Sequence, residues 1–172
     1  MTDALSSSVL ISADQLRALQ AQGRPLVLLD CGFDLAAPDA GEAAYATGHL
    51  PGAQYAHLDR DLSAAKTGRN GRHPLPTRET FAARAGAWGV APGVQVVTYD
   101  NQGGMYAARA WWMLRWLGHA AVAVLDGGRA AWARSGGALT AEGPTAQPQP
   151  PYPPAPAGMP SITADALLQQ LG

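Results

Sequence analysis

Val94-Gln95-Val96-Val97-Thr98-Tyr99, then Asp100-Asn101-Gln102-Gly103-Gly104, then Met105 through Leu117 is the stretch that decides the fold. The first run is short, apolar and β-branched, which reads as a buried strand. The last is apolar almost all round, with Trp111, Trp112 and Trp116, which reads as a central helix packed in the core. Between them, Asp100–Gly104 is a polar, glycine-containing loop. A strand–loop–helix of this form turns backbone N–H groups toward one centre and adds the partial positive charge of a helix start, so it suits an anion. A plain strand-to-helix turn has the same spacing. No Gly-Lys-Ser/Thr follows, which excludes a phosphate-binding P-loop. Arg109, inside the helix, requires a carboxylate or carbonyl partner. Asp30 and Asp126, at strand ends, are the natural candidates.

Outward from this stretch, strand and helix alternate. Ser12 caps a helix that Gly23 ends, and Leu26–Asp30 is a strand. Asp39 caps a short helix to Tyr45. Ala53–His57 is a weak strand after the turn Gly48-His49-Leu50-Pro51-Gly52. Residues 59–76 form a long polar loop, and Thr77 caps a helix through Ala87. Ala121–Leu125 is a strand and Gly128–Arg134 a helix. Short apolar strands separated by helices imply an α/β fold, with a mainly parallel sheet covered on both faces. Ligands of such sheets bind beyond the carboxyl ends of the strands.

Composition changes at Gly136. From there to Pro160 lie 8 of the 14 prolines, 4 glycines and a single charge, Glu142. This predicts an extended, semi-rigid linker that offers little to a core. Beyond it, Ser161 or Thr163 caps a helix striped by Leu167, Leu168 and Leu171. That helix resembles the opening helix near residue 12. Either it begins a second module, or it folds back on the first.

The 172 residues carry 12 Lys plus Arg against 13 Asp plus Glu, a net charge of −1, and one cysteine. A near-neutral chain lacks the basic face that binding nucleic acid requires. One cysteine excludes an internal disulfide and multi-cysteine metal sites. No run of ~20 apolar residues predicts a membrane span, and the N-terminus lacks a signal-peptide pattern. A soluble, cytoplasmic domain is expected.

Cys31 follows a strand end, with no basic residue or helix start beside it in sequence, and reads as a small buried hydrophobe. His49 and His119 read as turn-fixing residues. His73 lies in the loop that also carries Lys66, Arg69 and Arg72, with Asp59 and Asp61 before it. This cluster either faces an anionic substrate or is a solvated loop. No metal-binding pattern such as His-x-x-x-His, and no serine-protease-like triad, is present.

Gly48-His49-Leu50-Pro51-Gly52-Ala53 resembles the GHIPGA turn of the rhodanese family. Val96–Asp100, Gly103-Gly104, Ala107–Arg115, Gly118-His119, Val124–Gly128 and Ala131-Trp132 resemble the amino-terminal domain of tandem-domain thiosulfate and 3-mercaptopyruvate sulfurtransferases. The resemblance covers about residues 9 to 172 and implies a rhodanese-like fold. It implies a non-catalytic domain over 9–136, an interdomain linker over 137–160, and the first helix of a truncated second domain over 161–172. In that family a cysteine after the fourth strand carries sulfur as a persulfide. Here that position is Asp100, a hard oxygen nucleophile. No residue of this segment is then expected to be catalytic, and Asp100, Asn101, Gln102, Gly103 and Gly104 form a degenerate loop. After Asp30, many single-domain members have a small residue and an arginine, where this chain has Cys31-Gly32.

The resemblance further implies that Asp59, Arg72 and His73 face an interdomain cleft. Asp59 orients His73, His73 positions or protonates substrate, and Arg72 attracts its negative charge. The expected partners are the second rhodanese domain, a small sulfur donor, and a thiol or cyanide acceptor. No cofactor, metal, nucleic acid or membrane is expected. The alternative is a self-standing, non-catalytic binding module.

Overall fold

The computed structural model describes residues 9–171. Its elements follow the alternation of the sequence: β1 (Leu10–Ile11), α1 (Ala13–Ala21), β2 (Leu26–Asp30), α2 (Ala40–Thr47), β3 (Gln54–Tyr55), α3 (Arg78–Ala87), β4 (Gln95–Tyr99), α4 (Met105–Leu117), β5 (Val122–Leu125), α5 (Gly128–Arg134) and α6 (Ala164–Leu171). The five strands form one sheet in the order β1-β5-β4-β2-β3, and every pairing is parallel. β3 lies to one side of β2 while β4 and β5 lie to the other. β2 and β4 are therefore neighbours whose onward connections diverge, which opens a crevice beyond their carboxyl ends.

Alternation along the strands builds a core on each face. Val27, Leu29, Val96, Val122 and Val124 point to one face. There they meet Phe81 and Ala85 of α3 and Ala107, Ala110, Met113 and Leu114 of α4. Leu28, Val97, Tyr99, Ala123 and Leu125 point to the other and meet Leu16 and Leu19 of α1 and Trp132 of α5. Side chains as fully buried as Met113 and Leu114 each contribute about 1.5–3 kcal/mol from burial alone.

Three local readings change. β1 was not predicted: two residues are too few to show a period, and Ile11 becomes a strand by pairing with Leu125. Asp39 stands at the start of α2, but its side chain makes no capping bond. The tryptophans of α4 lie at the edge of its core face, where Trp111 and Trp112 are partly buried against the core. Tyr106, Ala107, Ala110, Met113, Leu114 and Leu117 are buried, whereas Trp112 and Trp116 stack on each other at the flank, with Arg78 over the Trp116 ring.

The proline-rich segment gives the core more than its composition suggests. His49 and Thr140 exchange main-chain hydrogen bonds (2.9 Å each), Gln149 N donates to Gly86 O (2.8 Å), Tyr152 N to Ala82 O (2.9 Å) and Gly158 N to Arg115 O (2.9 Å). The Tyr152 ring is buried against α3 and α4, with its hydroxyl 3.2 Å from His119 Nδ1. Gly86 has no side chain because a Cβ there would overlap the Pro150 carbonyl oxygen. The segment is a strap bound along the domain. After it, α6 is capped by Thr163, whose hydroxyl accepts from Ala166 N (3.2 Å), and it buries none of its residues. Among the described residues, no helix is long and apolar enough to cross a membrane.

Candidate functional site

The loop after β4 does gather N–H groups around an anion, and the anion is its own. Asp100 is 2% exposed and turns its carboxylate back into the loop. Oδ1 accepts from Gln102 N (2.9 Å) and Gly104 N (2.8 Å), and Oδ2 accepts from Tyr106 N (2.9 Å) and Ala107 N (3.0 Å). Gly104, at the cap position of α4, has no side chain to satisfy the first helical N–H groups, so the carboxylate four residues earlier does so. Asn101 N is met by the Gln102 side chain (3.1 Å). The loop is also held from behind: Gly128 presses on the Asp100 carbonyl oxygen, where any Cβ would overlap it.

Across the crevice, Asp30 accepts from Gly32 N (2.9 Å) and is buried. Burial holds its carboxyl above the usual carboxylate range, although Gly32 N, the Tyr99 hydroxyl, Arg129 and His49 act the other way. Cys31 is 1% exposed, and its N–H continues the sheet to Tyr99 O (2.7 Å). Burial, and then the charges of Asp30, Asp100 and Asp61, push its thiol well up. A neutral, buried thiol is neither a nucleophile nor a sulfur carrier.

Asp59 and His73 are brought together. Asp59 Oδ1 lies 3.3 Å from His73 Nε2 and 3.4 Å from Lys66 Nζ. That oxygen is buried and receives no hydrogen bond, so Asp59 meets the His73 ring by position. Burial lowers the affinity of His73 for a proton. Asp59 opposes this, while Lys66, Arg109 and Arg72 reinforce it. The ring is therefore a neutral imidazole at neutral pH. Arg72 points elsewhere, its Nη2 donating to Leu35 O (3.3 Å).

Two residues hold this loop in shape. Arg109 pairs with neither Asp30 nor Asp126, the expected partners. Its Nε and Nη2 donate to Leu62 O (3.0 and 2.8 Å), and Nη2 also to His73 O (3.0 Å). The predicted alternative, a carbonyl, is what it finds, and it thereby pins both ends of the loop to α4. His57, which sequence reading passed over, is 4% exposed, with Nδ1 accepting from Asp59 N (3.1 Å) and Arg60 N (3.3 Å). A histidine closing a strand just before an acidic pair was the available signal. His49 and His119 are structural as expected: His49 bridges Tyr45 O and Glu142 O (2.8 Å each), and His119 meets Tyr152.

The rhodanese-like domain model matches residues 12–135. The chain is 48% identical over 138 residues to a probable 3-mercaptopyruvate sulfurtransferase of Pseudomonas aeruginosa, covering 79% of this chain and 48% of that protein. It is 42% identical over 131 residues to a putative thiosulfate sulfurtransferase of Mycobacterium tuberculosis, covering 76% of this chain and 46% of that protein. Among solved structures, the 3-mercaptopyruvate sulfurtransferase from Leishmania major superposes with a TM-score of 0.73 at 31% identity, over 83% of this chain and 39% of that one. The chain thus spans about half the length of the curated relatives it matches. With the parallel sheet and the loop after its fourth strand, this similarity makes the chain a member of the rhodanese-like domain family.

Proposed function

We propose that the chain is the amino-terminal, non-catalytic rhodanese domain of a cytoplasmic sulfurtransferase. The whole enzyme would move sulfane sulfur from thiosulfate or 3-mercaptopyruvate to cyanide or a thiol, through a cysteine persulfide on a second rhodanese domain. One observation carries this reading: the Asp100 carboxylate fills the N–H cradle in which a sulfur-carrying cysteine would need to sit. A carboxylate there forms no persulfide, and the only thiol, Cys31, is buried and protonated. The names of the relatives and the half-length match support a partner domain that carries the chemistry.

In this reading the segment's contribution is the Asp59–His73 pair. His57 and Arg109 hold the loop, Asp59 orients the ring, and neutral His73 positions the donor or gives and takes a proton. Arg72 is spent on Leu35 O and adds only general positive charge. The test is thiocyanate formation from thiosulfate and cyanide. The isolated chain is expected to form none. The chain extended through a second domain is expected to be active, and His73→Ala is expected to lower its kcat or raise its KM. Unchanged kcat and KM would remove His73 from the site, and activity in the isolated chain that is lost on Cys31→Ser would overturn the reading.

A further inference from the structure

An open cavity of about 640 Å³ lies beyond the carboxyl ends of β4 and β5. It is walled by the end of α2 at Thr47 and Gly48, the Asp100 loop, α5 and the first residues of the strap. Asp59, Arg72 and His73 do not line it, so it is a different place from the proposed cleft. We propose that this cavity binds a small carboxylate with a short apolar body, held by the Arg129 guanidinium.

Charge decides the sign of the ligand. Arg129 and Asp100 are the charged residues lining the cavity. The Asp100 carboxylate is turned away into its own loop and is satisfied by four N–H groups, so it offers no open negative charge. Asp30 lies near Arg129 but is buried and already bonded to Gly32 N. Among the described residues, the Arg129 guanidinium makes one hydrogen bond, from Nη1 to Gly48 O (2.8 Å). That bond fixes its orientation while leaving donors of a planar fork for a second partner. Such a fork matches a carboxylate's two oxygens.

The remaining lining decides the size and the class. A single cation favours a monoanion over a phosphate dianion, which draws on several donors and charges. Ala130, Ala133 and Leu139 are apolar and suit a short hydrocarbon body, while Asn101 and Thr140 can meet polar substituents. The position agrees with the general rule that parallel sheets take ligands at their carboxyl edge. An arginine in the first turn of the helix that follows β5, in Gly127-Gly128-Arg129, was the sequence signal for it. This inference stands apart from the sulfur-transfer reading, because it uses none of the same residues as ligands.

The test is an NMR titration of the isotopically labelled chain with propionate, using propionamide as the uncharged match and inorganic phosphate as the charge control. Propionate is expected to give saturable shifts at Asn101, Gly103, Arg129 and Thr140, with weaker effects from phosphate and none from propionamide. Arg129→Gln is expected to weaken propionate binding about tenfold, the loss of ~1.5 kcal/mol for a charge-assisted hydrogen bond. Arg129 also holds Gly48 O, so Ala133→Leu serves as a second variant. Ala133 is exposed on α5, and a leucine there fills the cavity without touching the core. Absence of saturation, equal response to propionamide, shifts centred on Lys66 and His73, or full affinity in Ala133→Leu would each overturn the proposal.

Discussion

At the scale of the residue, Asp100 serves as the anion its loop was built to hold. Removing it strands four N–H donors at the start of α4. Asp100→Ala is therefore expected to cost about 2–3 kcal/mol in a denaturant titration, because each buried donor left unmade costs about 1–3 kcal/mol and water recovers part. Added sulfate should stabilise the variant more than it stabilises the parent, since only the variant has an empty cradle. The sequence already placed an anion here, because a glycine-rich turn at a helix start has only a few geometries. It did not reveal that the side chain opening the loop folds into it. That depends on rotamer and on contacts four to seven residues along the chain. Arg129 was missed for a similar reason. Its role follows from a cavity whose walls come from four separate segments.

At the scale of the element, α4 organises more than its own face of the sheet. Through Arg109 it fixes the loop that carries Asp59 and His73. Arg109→Gln shortens the reach and removes the charge. Trypsin is then expected to cut after Arg69 or Arg72 several times faster, as read from fragment masses over time, while the melting temperature changes less than the cutting rate. An unchanged cutting rate would mean that the loop is held elsewhere. The elements themselves were legible to within a residue or two where a pattern repeats, as in β2, β4 and α4. β1 was invisible because a two-residue strand exists only through its partner. The strap was misjudged because proline content describes stiffness and not adhesion. Tyr152 alone, with one hydrophobic ring among eight prolines, pointed to attachment.

At the scale of the whole molecule, acid is expected to weaken the fold. Burial lowers the proton affinity of His119, with Arg115 adding to this and nearby backbone groups opposing it; burial is also the main cause for His73. An unfolded histidine titrates near ~6.5. Below that value the unfolded chain takes up protons that the folded chain does not. Stability from these groups is therefore full above ~6.5 and falls as pH drops toward their folded values. Melting temperatures measured from about pH 8 to about pH 5.5 should decline, and His119→Gln should flatten the decline. A parallel decline in the variant would assign the effect to other groups. His119 faces Tyr152, so the burial behind this pH dependence comes in part from the strap. The strap also has a mechanical meaning. It is fastened to the domain at Thr140, Glu142, Gln149, Tyr152, Ala155 and Gly158, the fifth of these through the Arg78 guanidinium. A pull exerted from residue 160 onward meets Gly158, Ala155 and Tyr152 first, so it enters the domain through α4 and α3, and the strap acts as a strain relief that keeps the load off the chain beside the Asp100 loop until those anchors give way.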